Sequence, residues 1–173
     1  QGISDDMFVS IKPKIQMLDE KQFKYQINFE ELISVVKSSN IGAICISRPT
    51  NPTGNVITDE ELNQLDSIAQ EYGVPLIIDN AYGQPFPGAI YTQASLKWNA
   101  NIILCMSLSK LGLPGLRTGI VIANHETIEA LSRISGIMAL APSSVGPTLL
   151  TRMIKDQELL RLCQEVIRPY YEE

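Results

Sequence analysis

Lys110 closes the run Ser107-Leu108-Ser109-Lys110 and is followed by Leu111-Gly112-Leu113-Pro114-Gly115-Leu116-Arg117. An amine placed where water is scarce loses its proton more readily than one in solvent, and so becomes a nucleophile. Hydroxyls and a guanidinium within a few residues of it are the donors that suit a phosphate. Taken alone, such a run is more often a polar connection with its lysine in water, so its meaning depends on what else the chain brings to the same place. Arg48-Pro49-Thr50-Asn51-Pro52-Thr53-Gly54 offers an amide, although Asn-Pro-Thr-Gly is also ordinary turn chemistry. Ile77-Ile78-Asp79-Asn80-Ala81-Tyr82-Gly83 offers a carboxylate and a phenol, which singly would read as a loop cap and an aromatic lid.

The elements around these residues decide whether they can meet. The lysine run lies between two apolar stretches, Asn101 to Met106 and Gly119 to Ala123, each reading as a buried strand. Ile41 to Ser47 reads as another, ending at the asparagine loop. Thr58 and Glu61 form a capping box that opens a helix with the apolar face Leu62, Leu65, Ile68, Ala69 and Tyr72, stopped by Gly73. Val74 to Ile78 is the next strand and closes on Asp79. Strand, helix, strand predicts parallel pairing, and uninterrupted apolar strands predict that both sheet faces are covered. The step from Met106 to Gly119 is too short for a crossover helix, so Arg117 to Ala123 is expected to pair antiparallel.

Toward the ends the pattern changes. Met7 to Ile11 and Ile15 to Leu18 read as short strands separated by Pro13, and Asn28 caps a helix carrying Phe29, Leu32, Ile33, Val35 and Val36. The long loop Asn80 to Gly88 suits a site better than a core. From about residue 125 the chain turns helical after Asn124, with Ile128, Leu131 and Ile134 on one face. Pro142 to Pro147 is expected to break that run before helices resume at Thr148 to Met153 and Gln157 to Ile167. The expected fold is α/β, a mostly parallel sheet flanked by helices, with ligands outside the carboxyl ends of the strands.

Composition narrows the function classes. A chain of 173 residues with 45% hydrophobic and 19% charged residues is globular in character. A net charge of −5 with no basic block argues against a nucleic-acid surface. No apolar run reaches the length of a membrane span and no signal peptide is recognisable, which points to the cytoplasm. Cys45, Cys105 and Cys163 are odd in number and widely spaced, fitting neither a disulfide framework nor a zinc ribbon, and are read as small buried thiols. The lone His125 has no partners, so no metal site is expected.

Asn51, Asp79 with Tyr82, and Ser107 to Lys110 follow consecutive strands and therefore gather at one sheet edge. Pyridoxal phosphate needs a lysine for its aldehyde, a carboxylate for its ring nitrogen, hydrogen bonds to its ring oxygen and an anion cradle for its phosphate. Lys110, Asp79, Asn51 with Tyr82, and Ser107, Ser109 and Arg117 can supply those needs. A nicotinamide or nucleoside triphosphate site would call for a glycine-rich turn or a Walker loop, and neither is present.

The stretches SRPTNPTG, IIDNAYG and SLSKLGLPGLRTG, in this order, resemble the aspartate aminotransferase superfamily, fold type I of the pyridoxal-phosphate enzymes. The likeness covers nearly the whole chain. FKYQINFEEL and DNAYGQPFPG look like the branch that exchanges amino groups between valine and pyruvate. The resemblance implies that Lys110 forms the Schiff base and moves the substrate α-proton. It likewise implies that Asp79 pairs with the pyridinium nitrogen, that Asn51 and Tyr82 bond the ring hydroxyl, and that Ser107, Ser109 and Arg117 hold the phosphate. Lys110 and Arg117 stand one residue closer together than in many members.

Residues 1–173 are thus expected to be part of the large cofactor-binding domain. The preceding segment with its phosphate loop and ring-stacking aromatic, and the small domain with its carboxylate-binding arginine, find no match here. The implied activity is transamination between a valine- or alanine-like amino acid and a 2-oxo acid such as pyruvate, by a homodimer, the isolated piece being inactive. A lyase or decarboxylase would keep the same motifs, an aminotransferase-like regulator would need a basic DNA-binding segment, and a non-catalytic module is the third alternative.

Overall fold

The computed structural model describes residues 7–112 and 114–173. Residues 1–6 of the expected domain, and Leu113 of the lysine run, lie outside the described residues. The chain divides into two compact units, with the boundary after Ile41.

In the first unit, β1 (Lys14–Met17) and β2 (Phe23–Gln26) form an antiparallel hairpin. Its turn is closed by the Asp19 carboxylate, which accepts the backbone N–H groups of Lys21 and Gln22 at 2.7 and 2.8 Å. The register pairs Ile15 with Tyr25 and Met17 with Phe23, so the period of two puts apolar side chains on one face. Helix α1 (Phe29–Ser38) follows, with the Asn28 side chain accepting from the Glu31 N–H at 3.4 Å as its N-cap. The expected strand at Met7 to Ile11 does not form; β1 instead finds its partner in Phe23–Gln26, a segment whose pattern is too short to stand out.

The second unit is built on a four-stranded sheet in the order β3 (Ile44–Ser47), β4, β5, β6. Between β3 and β4 runs helix α2 (Asp59–Glu71), opened by the expected capping box: Glu61 N–H to Thr58 Oγ1 at 3.1 Å and Thr58 N–H to Glu61 Oε2 at 2.9 Å. Gly73, at φ 66°, takes the left-handed conformation that ends it. β4 (Leu76–Asp79) and β5 (Ile102–Ser107) run parallel to β3, whereas β6 (Gly119–Ile122) is antiparallel to β5, as the short connection requires. Ser47, Asp79, Cys105 and Val121 lie side by side across the sheet.

One sheet face is buried. Ile44, Leu76, Ile78, Ile102, Leu104 and Met106 point into the core, together with Leu62, Leu65, Ile68 and Ala69 of α2. The other face carries Cys45, Ile77, Asp79, Ile103 and Cys105 and remains exposed or half-exposed. The expectation that both faces are covered is therefore corrected among the described residues of this unit: the second face carries apolar side chains but stays open to solvent. For the same reason Cys45 is an exposed thiol and Cys105 a half-buried one; of the three cysteines only Cys163 is buried as expected.

Beyond β6 the chain is helical: α3 (His125–Met138), α4 (Val145–Lys155), α5 (Glu158–Leu162), a π-helical stretch at Cys163–Ile167 and α6 (Arg168–Glu172). Asn124 caps α3 by accepting the Thr127 N–H at 2.8 Å. The helical run breaks at residues 139–144, as expected, but resumes earlier than Thr148, so that Pro147 falls inside the new helix. It sits in the first turn of α4, where the N–H that proline lacks has no intrahelical partner anyway.

Candidate active site

Three parallel strands end on the same side of the sheet and lead into the three loops that carry the candidate residues. Asp79 is the last residue of β4. Its carboxylate is fixed from both sides: Ser47, its register neighbour on β3, donates its hydroxyl to Oδ2 at 3.3 Å, and the Ala81 N–H donates to Oδ1 at 3.1 Å. Both oxygens are thereby oriented while the group stays exposed above the sheet.

The second loop places Asn51. Thr50 closes a turn at both ends, donating its N–H to Asn55 O at 2.9 Å and accepting from Gly54 N–H at 2.8 Å. Asn51 Nδ2 donates to the Tyr82 hydroxyl at 3.4 Å, so amide and phenol form a pair. Tyr82 is carried by the loop after β4, where Asn80 turns inward, buried, and donates from Nδ2 to Gln84 O at 2.6 Å. The glycine after Tyr82 is dictated by space: a Cβ on Gly83 would lie 1.9 Å from Asn80 Oδ1 and 3.1 Å from Arg48 O.

Lys110 occupies a single 3₁₀ turn, Ser109–Leu111, held down on either side by the buried Leu108 and Leu111. Its ammonium lies 4.8 Å from the ring centroid of Tyr82, within cation–π range. The amine is not desolvated as the sequence suggested. It is half-exposed, and its pKa is raised above the ordinary lysine value, first by the hydrogen bond with Tyr82 and then by the electrostatic interaction with the same side chain. Within these residues the ammonium is thus favoured over the free amine.

The third group is Ser107, Ser109 and Arg117, two hydroxyls beside a guanidinium. Ser107 Oγ accepts the Ser109 N–H at 3.1 Å, and Arg117 Nη1 donates to Ser109 Oγ at 3.5 Å and to Pro114 O at 3.3 Å. Arg117 holds φ 47°, a conformation that costs a non-glycine residue about 1 kcal/mol or more. A cavity of about 290 Å³ is lined by Asp79, Cys105, Ser107, Ser109, Arg117 and Gly119, among others. Asn51, Tyr82 and Lys110 form a chain of contacts outside that lining, joined to it through the Asp79 loop. Cys105 sits on the cavity floor, its thiol pushed up in pKa by burial and by the Asp79 charge. A larger cavity of about 430 Å³ on α4 is lined by Thr148, Thr151, Arg152, Lys155 and Asp156; it shares no residue with this cluster and reads as a solvated helix face.

Arg48 was not singled out by the sequence, where it looks like the first residue of a turn. Its side chain is buried and fully engaged, donating from Nε to Ile57 O and from Nη1 to Ser95 O, each at 2.7 Å, and pairing through Nη2 with the Asp59 carboxylate. The usable signal was an arginine closing a buried strand with an acidic helix start shortly after it. Among the described residues no group of three His, Cys, Asp or Glu side chains is arranged for a metal ion, and no helix is long and apolar enough to cross a membrane.

The donor set fits pyridoxal phosphate: an oriented carboxylate, an amide–phenol pair, an amine, and two hydroxyls with a guanidinium at the cavity rim. Comparison with known proteins agrees. The profile of the family described as "Aminotransferase class I and II" matches residues 12–168. The chain is 56% identical to the valine–pyruvate aminotransferase of Escherichia coli (strain K12) over 170 residues, which is 98% of this chain and 40% of the relative. It superposes with a TM-score of 0.85 on the crystal structure of valine–pyruvate aminotransferase AvtA from Salmonella typhimurium LT2, at 56% identity, covering 97% of this chain and 42% of the other. A pyridoxal-phosphate-bound C–S lyase from Staphylococcus hominis is similar at 27% identity and a TM-score of 0.55, over 63% of this chain and 29% of that one. The chain therefore spans about two fifths of the length of the valine–pyruvate aminotransferases it matches.

Proposed function

Because the chain belongs to the class I and II aminotransferase family, we propose that residues 1–173 form part of the cofactor-binding large domain of a transaminase. It exchanges amino groups between a valine- or alanine-like amino acid and a 2-oxo acid such as pyruvate. The observation that carries this reading is the convergence of Asp79, the Asn51–Tyr82 pair, Lys110 and the Ser107–Ser109–Arg117 cradle at one sheet edge. The substrate assignment rests on the 56% identity to valine–pyruvate aminotransferase.

Each residue has a distinct task. When bound, the cofactor supplies an electron-withdrawing ring that makes the substrate α-proton removable. Asp79, oriented by Ser47 and the Ala81 N–H, holds the proton on the ring nitrogen. Asn51 and Tyr82 donate to the ring oxygen and fix the tilt of the ring. Ser107, Ser109 and Arg117 bind the phosphate and set its distance from Lys110. Lys110 would hold the cofactor through its aldehyde, and its free amine would be the base for the proton on the substrate α-carbon.

The same reading includes a cytoplasmic homodimer, supported by the free cysteines and by the exposed Ile134, Ile137 and Met138 of α3. It also includes a piece that is inactive alone, since the elements that grip the substrate carboxylate lie in other parts of the longer protein. The experiment is to add pyridoxal phosphate to the longer protein, reduce with borohydride, map the modified peptide, and assay alanine formation from valine and pyruvate. Label on Lys110 together with alanine formation is expected. Label elsewhere, or amino-acid cleavage without amino transfer, overturns the assignment.

A further inference from the structure

Arg48 contacts all the loops that carry the ring-binding groups. Its backbone N–H donates to Asp79 O at 2.9 Å, extending the β3–β4 ladder by one bond beyond the strands themselves. Its carbonyl oxygen lies 3.1 Å from where a Cβ on Gly83 would stand, in contact with the loop that carries Tyr82. Two residues further on, Thr50 begins the closed turn that presents Asn51, and its hydroxyl donates back to Ser47 O at 3.3 Å. The backbone of this one residue therefore touches the supports of Asp79, Asn51 and Tyr82.

Its side chain points the other way and is tied down there. The guanidinium, 4% exposed as a residue, donates to Ile57 O, Ser95 O and the Asp59 carboxylate, and Asp59 Oδ1 also accepts the Ser95 N–H at 2.9 Å. Three stretches are thus clamped together: the end of the asparagine loop at Ile57, the first residue of α2, and the irregular segment at Ser95. Asp59 stands at the positive end of α2, where a carboxylate is favoured without any partner, and the arginine adds a planar fork that fixes its orientation. A lysine could not reach all three acceptors at once.

We propose that Arg48, locked by Asp59, is a positioning residue for the cofactor ring, setting the Asn51–Tyr82 pair against the ring oxygen without touching the cofactor itself. The inference rests on the cofactor assignment proposed above. Its consequence is a property of the bound chromophore. Donors on a ring oxygen stabilise its anionic form and lower the pH at which the conjugated nitrogen gives up its proton; displacing them raises that pH.

The test uses the longer protein loaded with pyridoxal phosphate, its visible absorbance titrated against pH for wild type, Asn51→Ala, Arg48→Gln, Arg48→Lys and Asp59→Asn. Displacing the pair is expected to raise the absorbance midpoint by about one pH unit in Arg48→Gln and Asp59→Asn, in the direction set by Asn51→Ala. Arg48→Lys is expected to restore only part of that shift. Borohydride label is expected to remain on Lys110 throughout. A midpoint unmoved in Asp59→Asn, with Asn51→Ala displaced, overturns the proposal, and that conservative variant decides the matter if Arg48→Gln fails to fold. Wild type that takes no label on Lys110 overturns the cofactor assignment, and this inference with it.

Discussion

The ammonium of Lys110 lies 4.8 Å from the ring centroid of Tyr82, the same residue whose hydroxyl accepts from Asn51 at 3.4 Å. Tyr82 therefore stands between the amine and the amide, and it is the main cause of the rise in the Lys110 pKa above the ordinary lysine value.

Removing that hydroxyl is expected to bring the Lys110 pKa back toward the ordinary lysine value. A raised pKa means that free amine appears only as pH rises through the raised value, so Tyr82→Phe should shift the onset of Lys110 reactivity to lower pH. Reductive alkylation with a small aldehyde across a pH series, read at the Lys110 peptide, measures it. An unchanged or higher onset would show that the hydroxyl does not hold the proton.

Arg117 is expected to distinguish the phosphorylated cofactor from its alcohol. One hydrogen bond to a charged group is worth about 1.5 to 3 kcal/mol, so Arg117→Ala should cut the preference for pyridoxal phosphate over pyridoxal by about tenfold to a hundredfold. Equilibrium binding of the two aldehydes to wild type and variant gives the ratio. Equal losses for both would place Arg117 outside the phosphate cradle.

Gly83→Ala forces a methyl into the space of Asn80 Oδ1, a buried side chain with its own bond to Gln84 O. Overpacking of this kind is expected to cost about 1 to 3 kcal/mol in denaturant unfolding and to displace Tyr82. A variant as stable as wild type would mean that the loop opens freely.

Acid sensitivity should trace to Asp59. Hydrogen bonding from Arg48 lowers its pKa from 3.8 to about 2. A carboxyl depressed in the folded state adds stability that is complete above its unfolded value and is lost as pH falls toward the folded one. Asp59→Asn is therefore expected to be less stable than wild type near neutral pH, with the gap closing by about pH 2. Asp66 adds a smaller contribution of the same sign: its burial opposes ionisation, but bonds from Lys97, Gln70 and Asn99 outweigh it. Urea unfolding at several pH values separates the two.

What the sequence made legible were features written in neighbouring residues. Apolar runs located the strands of the second unit, a threonine and a glutamate three apart located the start of α2, and the shortness of the step to Gly119 gave β6 its direction. That Asn51, Asp79 and Ser107 to Lys110 follow strand ends on one side of the sheet was legible because parallel strands finish on the same side. What stayed hidden depended on distant partners. Arg48 reaches Ser95, far along the chain, and nothing in a turn sequence announces that. Lys110 was expected to be dry, but dryness requires a cover, and the open sheet face that exposes Cys45 also leaves the lysine half in water. Phe23–Gln26 needed β1 beside it to become a strand.

The antiparallel return of β6 has a geometric meaning beyond its place in the sheet. Ser107 faces Gly119 in register, and the Leu108 N–H donates to Thr118 O at 3.1 Å, so the segment from Ser109 to Arg117 leaves and rejoins the sheet at one fixed point. Extra residues in such a closed excursion cost the chain little in closure entropy. Yet each would slide Lys110 relative to Arg117, because both ends are stapled. The number of residues in the excursion therefore sets the span between Lys110 and Arg117, and a change in that number has to be taken up within the loop itself, because its two ends are held by the sheet.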